Sequence, residues 1–263
     1  MVIGMFNLDG KNIMISGGTH GIGEATAIML RDAGASIWVI GRNEENFKRM
    51  IAEHGKHGIE FLKCDLANRK EVYNLLQWID NTEVIFDVLI NNASRNSRYN
   101  ILNISIEEWD SMIELNLTST MLITQHVTRR MIQGKKHGKV INIGAIQSFY
   151  PLDSSLAYST VKGALRSFTK SLAIDLGPYG ILTTLVMPGP IYAKAASYEV
   201  PEDLDKRAAT LLNRMGRTEE VAKLLAFLVS DENTFMTGNE IIIDGGRSIS
   251  RKPDPEEIQK DII

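Results

Sequence analysis

Cysteine is almost absent from this 263-residue chain: Cys64 stands alone. No internal disulfide can form, and a reducing, cytoplasmic setting is the expectation. The five histidines are scattered without ligand spacing, so no metal site is expected. No apolar run approaches the roughly 18 residues of a membrane span. Residues 1–10 carry neither a basic leader nor a long apolar stretch, which argues against a signal peptide. Net charge is only −3, so no global basic field points to nucleic acid or to an anionic membrane. Repeats, low-complexity tracts and domain linkers are also lacking. What remains is 44% hydrophobic and 23% charged, the mix of a globular protein long enough for one large α/β domain spanning 1–263.

The chain then alternates strand and helix patterns. Asn12–Ile15 is a short apolar run ending in Ser16-Gly17-Gly18-Thr19-His20-Gly21-Ile22-Gly23, followed by a helical period to about Leu30 that Gly34 stops. Strand, glycine turn and helix in that order open a dinucleotide-binding βαβ unit. Gly17 permits the tight turn, while Gly21 and Gly23 let a pyrophosphate approach the backbone at the helix N-terminus. Ser36–Ile40 reads as the second strand. Gly41 stands where an acid would bind the ribose hydroxyls of NAD, and Arg42 follows. A guanidinium in place of a carboxylate suits a 2′-phosphate, so NADP(H) is favoured over NAD, with a solvated loop charge as the other reading of Arg42. His20 could add a phosphate contact.

Further strands are expected at Ile59–Lys63, Asp87–Ile90, Lys139–Ile143, Thr183–Met187 and Ile241–Ile243. Helices are expected at Glu71–Ile79, Glu107–Gln133, Tyr158–Leu176 and Thr218–Ser230. This order implies a doubly wound, Rossmann-type parallel sheet with helices on both faces. Within the Tyr158–Leu176 stretch, Tyr158 and Lys162 are four residues apart and share one face. An ammonium beside a phenol favours the phenolate, so the pair predicts a lowered tyrosine pKa and acid–base chemistry.

With Gly17-x3-Gly21-x-Gly23, Asp65, Asn91-Asn92-Ala93, Asn116, Tyr158-x3-Lys162, Pro188-Gly189 and Asp244-Gly245-Gly246 in this order, nearly the whole chain resembles the short-chain dehydrogenase/reductase family. Glu107-Glu108-Trp109 and Asn116-Leu117-Thr118 resemble its oxoacyl-carrier-protein reductase-like branch. The resemblance implies that Gly17, Gly18, Thr19, His20, Gly21, Ile22 and Gly23 hold the pyrophosphate. Asp65 and Leu66 would border the adenine, and Asn92 and Ala93 would run beside the nicotinamide ribose. Tyr158 would protonate the substrate oxygen. Lys162 would bind the ribose and hold the tyrosine pKa down, Asn116 would keep a water near Lys162, and Ile191 would line the ring pocket. A homotetramer acting on a small-molecule substrate is also implied.

Three positions depart from the family pattern. Its serine, thirteen residues before the tyrosine, is Ala145 here, and losing one such donor costs about 10²–10³ in rate. Gln147, two positions on, would face the same side if the extended backbone persists, and its amide could replace the donor as a substrate contact. The other role open to Gln147 is satisfying loop backbone. Ala193 lacks the hydroxyl expected to hold the nicotinamide carboxamide. Ser94 replaces a glycine, a change expected to be tolerated. Residues 191–215 correspond to the substrate lid of relatives and include Tyr192, Lys194, Tyr198 and Arg207. With Arg95 and Arg98 they offer cations for an acidic substrate. The polar tail 247–263 is expected to be mobile. The leading expectation is an NADP(H)-dependent carbonyl reductase or alcohol dehydrogenase. A dehydratase or isomerase using Tyr158, or a silent nucleotide-binding protein, are the alternatives.

Overall fold

The computed structural model describes residues 6–192 and 209–252. Seven strands form a parallel sheet: β1 (Asn12–Ser16), β2 (Ser36–Gly41), β3 (Ile59–Lys63), β4 (Val88–Asn91), β5 (Lys139–Ile143), β6 (Leu182–Pro188) and β9 (Asn239–Ile243). Their order is β3-β2-β1-β4-β5-β6-β9. A short parallel pair, β7 (Ile191–Tyr192) with β8 (Gly216–Arg217), lies outside that sheet and was not foreseen from sequence.

Successive strand residues point to opposite faces, and the core divides accordingly. Ile13, Ile15, Val88, Ile90 and Ile141 pack with α1 (Gly21–Asp32), α2 (Glu44–His54) and α7 (Thr218–Val229). Met14, Leu89 and Val140 pack on the other face with α3 (Arg69–Asn81) and α5 (Ser119–Gln133). Leu185 and Met187 of β6 meet Leu165 of α6 (Leu156–Leu176). Polar caps set several helix starts. Asn43 accepts from Glu45 and Asn46 amides, Asn68 from Lys70 and Glu71, and Ser105 from Glu108 at the head of α4 (Ile106–Ile113). Such caps are each worth about 0.5–2 kcal/mol.

One expected element is interrupted. Glu107–Gln133 is not a continuous α-helix: a π-helical turn, Glu114–Thr118, separates α4 from α5. Inside it, Asn116 Nδ2 donates to the Met112 carbonyl, and at the first residue of α5 Ser119 Oγ donates to that of Leu115. These side chains take carbonyls that a regular ladder would share with water or backbone, and π-turns of this kind recur at functional sites. At the chain's far end, Arg247–Ile249 forms a single 3₁₀ turn with Arg247 buried. The rest of the tail beyond 252 lies outside the described residues.

Candidate active site

The strand order reverses between β1 and β4, where a crevice opens beyond the carboxyl ends of an α/β sheet. The register aligns Ser16, Asn91 and Asn142 there. Ser16 Oγ accepts the backbone N–H groups of Asn92 and Ala93, both at 3.0 Å. Asn92 Nδ2 donates to the carbonyls of Ser16 and Gly17 at 3.1 and 2.9 Å. Asn91 Nδ2 donates to Asn142 Oδ1 at 2.8 Å, and Asn142 Nδ2 to Thr169 Oγ1 at 2.9 Å. This polar row ties the ends of β1, β4 and β5 together and fixes the loops above them. Ser16, Asn142 and Thr169 carried no recognised motif.

The glycine loop follows β1 directly. Gly17 and Gly21 have φ of 65° and 56°, the region that favours glycine. A Cβ on Gly23 would sit 2.1 Å from the Gly17 carbonyl, and one on Gly17 2.8 Å from Ala93 Cα. The His20 side chain makes no capping hydrogen bond to the first turn of α1, so those backbone donors could serve a pyrophosphate. Lacking side chains that would fill it, this cradle fits a dinucleotide. Thr19 is buried and His20 exposed. Although the ring keeps a solvent-facing edge, partial desolvation lowers the His20 pKa. Arg42 and Arg49 add to the effect and Glu24 opposes it. Arg42 is exposed at the end of β2. Leu66 sits in the core beside Cys64, while Asp65 Oδ1 accepts the Ala67 N–H and shapes the turn into α3. Ile191 is half-buried against the same core layer as α1 and α7.

Across the crevice, α6 carries Tyr158 and Lys162. Lys162 is 2% exposed, and its Nζ donates to the Ile143 carbonyl at 2.8 Å, 5.6 Å from the centre of the Tyr158 ring. The expected lowering of the tyrosine pKa is not found. Burial pushes the Tyr158 phenol up to about 12 and the Lys162 ammonium down to about 8. Desolvation disfavours both charged forms and outweighs the attraction between them. Asn116, 1% exposed, is engaged at both ends of its amide: its Oδ1 accepts from Ser94 Oγ at 2.7 Å while Nδ2 donates to the Met112 carbonyl. Ser94 is therefore more than a tolerated change, because it satisfies a buried acceptor.

The ground for placing Gln147 also changes. After Ala145 the backbone turns into a 3₁₀ segment, Ile146–Ser148, so the two-residue alternation of a strand ends there. Ser148 Oγ is turned to Met187 Sδ, 3.4 Å away. Gln147 Oε1 is buried without a hydrogen-bond partner among the described residues, which leaves an acceptor for a ligand. Arg95 is not a free cation. It forms a bidentate pair with Glu108, at 2.7 and 2.8 Å, and also donates to Ser111 Oγ. Ala193, Lys194, Tyr198 and Arg207 lie outside the described residues.

Parallel sheet, glycine cradle and the Tyr158–Lys162 helix define a class: Rossmann-type oxidoreductases. The family profile described as enoyl-(acyl carrier protein) reductase matches residues 17–248. A 3-oxoacyl-(acyl-carrier-protein) reductase, FabG, of Aquifex aeolicus is 34% identical over 250 residues, covering 91% of this chain and 98% of its own. An L-rhamnose 1-dehydrogenase (NADP(+)) of Thermoplasma acidophilum is 30% identical over 254 residues, covering 94% and 99%. A solved short-chain dehydrogenase/reductase from Serratia marcescens superimposes with a TM-score of 0.82 at 26% identity, covering 92% and 99%. The chain belongs to the short-chain dehydrogenase/reductase family. No helix among the described residues is long and apolar enough to cross a membrane.

Proposed function

We propose that this protein is an NADP(H)-dependent carbonyl reductase or alcohol dehydrogenase in which Tyr158 exchanges the proton. The observation that carries this reading is the placement of Tyr158 and the buried Lys162 on one face of α6, above the carboxyl end of β5. When bound, the nicotinamide supplies or accepts the hydride. The chain's own groups handle the oxygen. With its pKa raised to about 12, Tyr158 is held protonated, the form that donates to a carbonyl oxygen in the reductive direction. Lys162, at about 8, can carry a proton near neutral pH and return it to the phenol. Asn116 and Ser94 line the inner end of that route. Gly17 to Gly23, with Asn92 and Ala93, hold the dinucleotide. Arg42 and His20 favour the 2′-phosphate over a bare ribose, and the name of the Thermoplasma relative supports NADP(H).

Ala145 offers only a methyl group where a donor would face the reacting oxygen. Gln147 supplies that donor through its amide, and its unpartnered Oε1 supports a role in holding substrate. The test is a panel of ketones, including 3-oxoacyl thioesters, cyclic ketones and sugar-derived ketones, assayed by loss of NADPH absorbance. Turnover with NADPH exceeding that with NADH is expected. Dinucleotide binding with no oxidation across the panel would instead indicate a silent protein. Gln147→Ala is expected to lower turnover about tenfold or more while dinucleotide affinity holds. An unchanged rate would return the amide to the loop.

A further inference from the structure

A charge cluster beside the glycine loop has no part in the reaction proposed above. Glu24 lies in the first turn of α1, among the backbone donors suited to phosphate. Arg49, from α2, places Nη2 2.6 Å from Glu24 Oε2 and 3.4 Å from the Thr19 carbonyl, and Nη1 3.1 Å from Glu53 Oε2. Its Nε is buried without a hydrogen-bond partner among the described residues. His54 Nε2 stands 3.9 Å from Glu24 Oε1 and 3.8 Å from Glu53 Oε2. Glu24, Glu53 and His54 bring ligand atoms within 4.8 Å of one another. The guanidinium of Arg49 already bonds both carboxylates, so the cluster is an ion-pair knot rather than a cation site.

The arrangement answers an electrostatic difficulty. A carboxylate at the head of α1 repels any phosphate brought to that loop, and a dianionic 2′-phosphate more than a ribose hydroxyl. Glu24 is only 13% exposed, so water screens it poorly. A cation bonded to it at 2.6 Å cancels most of that field. Both arginines and Glu24 act on His20 at the loop's tip, which places that ring within electrostatic reach of all three.

We propose that Arg49 determines cofactor selectivity by neutralising Glu24, so that Arg42 presents an unopposed positive charge to the 2′-phosphate of NADP(H). Arg49 acts as a shield, not as a phosphate ligand. The inference rests on the preference for NADP(H) proposed above.

Calorimetric titration of the full chain with NADPH and with NADH, at about 50 mM salt to limit screening, separates the two ideas. Arg49→Gln is expected to weaken NADPH binding about tenfold and NADH binding by no more than about threefold. Glu24→Gln is expected to tighten NADPH binding at least about threefold and to leave NADH nearly unchanged. In the double variant, which lacks both charges, NADPH affinity returns to within about threefold of wild type. Equal losses for the two dinucleotides in Arg49→Gln would overturn the proposal in favour of a structural role. A double variant as weak as Arg49→Gln would overturn it in favour of direct phosphate contact. Should Arg49→Gln fail to fold, as seen by its thermal melt, Glu24→Gln decides alone, and no gain for NADPH sinks the shield. Equal affinity of the wild type for both dinucleotides would instead defeat the role of Arg42 and the NADP(H) reading itself.

Discussion

The two sides of the crevice differ in how complete they are. At the β1 end, polar groups bond one another: Ser16 Oγ takes two backbone N–H groups and Asn92 Nδ2 reaches two carbonyls. A Cβ on Gly17, Gly18 or Gly23 would lie 2.8, 2.6 or 2.1 Å from a neighbouring atom. At the α6 end, Lys162 rests on a backbone carbonyl, Gln147 Oε1 has no partner among the described residues, and burial shifts both Tyr158 and Lys162 towards their neutral forms. The first side is a rigid cradle built before any ligand arrives. The second carries unmet electrostatic demands that a ligand must satisfy. Binding and chemistry should therefore come apart under mutation.

The largest break in that contrast is expected at Gly23. Ala there places a methyl 2.1 Å from the Gly17 carbonyl and 2.6 Å from Asn92 Nδ2. Relieving that overlap displaces the Gly17 carbonyl or the Asn92 amide, both part of the cradle, and dinucleotide affinity is expected to fall about tenfold or more, read by calorimetry. A variant that binds as wild type does would mean the cradle is not rigid. A smaller effect, of about tenfold on turnover, is expected for Asn116→Ala, with dinucleotide affinity unchanged. Loss of binding in that variant would place Asn116 with the cradle rather than with the proton route.

The smallest effect concerns stability. Burial lowers the Lys139 pKa to about 8, its ammonium bonding the Ser230 carbonyl, and Lys162 is lowered to about the same value. An unfolded lysine titrates near ~10.4, so between about pH 8 and 10 the unfolded chain binds more protons. The contribution of these two lysines to stability then rises with pH across that window, opposed by Cys64, whose thiol is pushed up by burial to about 12. Lys139→Met is expected to shift the slope of melting temperature against pH downward relative to wild type over this window, because one of the two lysine contributions is removed. Identical slopes would remove Lys139 from that account.

Much of this was legible in the sequence where the constraint is local. Glycine at positive φ, a four-residue helical spacing and strand alternation are short-range patterns, and β3 and β5 fall on their expected boundaries. Tertiary effects were not legible. The π-turn depends on Asn116 capturing the Met112 carbonyl, and the 3₁₀ turn after Ala145 ends the alternation on which Gln147 was placed. The Tyr158 pKa moved opposite to expectation because burial cannot be read from a spacing of two residues. Arg95 looked available until Glu108, on α4, was found holding it. Helix α2 went unrecognised because only Phe47 and Met50 of its eleven residues are buried, too few for a clear apolar period.

The separation of binding from chemistry is tested most directly in Tyr158→Phe, by measuring NADPH affinity and NADPH consumption on the same preparation. Expected is an affinity within about threefold of wild type, together with turnover reduced by about 10³ or more, within the range for loss of a proton-transfer group. Undiminished consumption, or an affinity that collapses along with the rate, would contradict it.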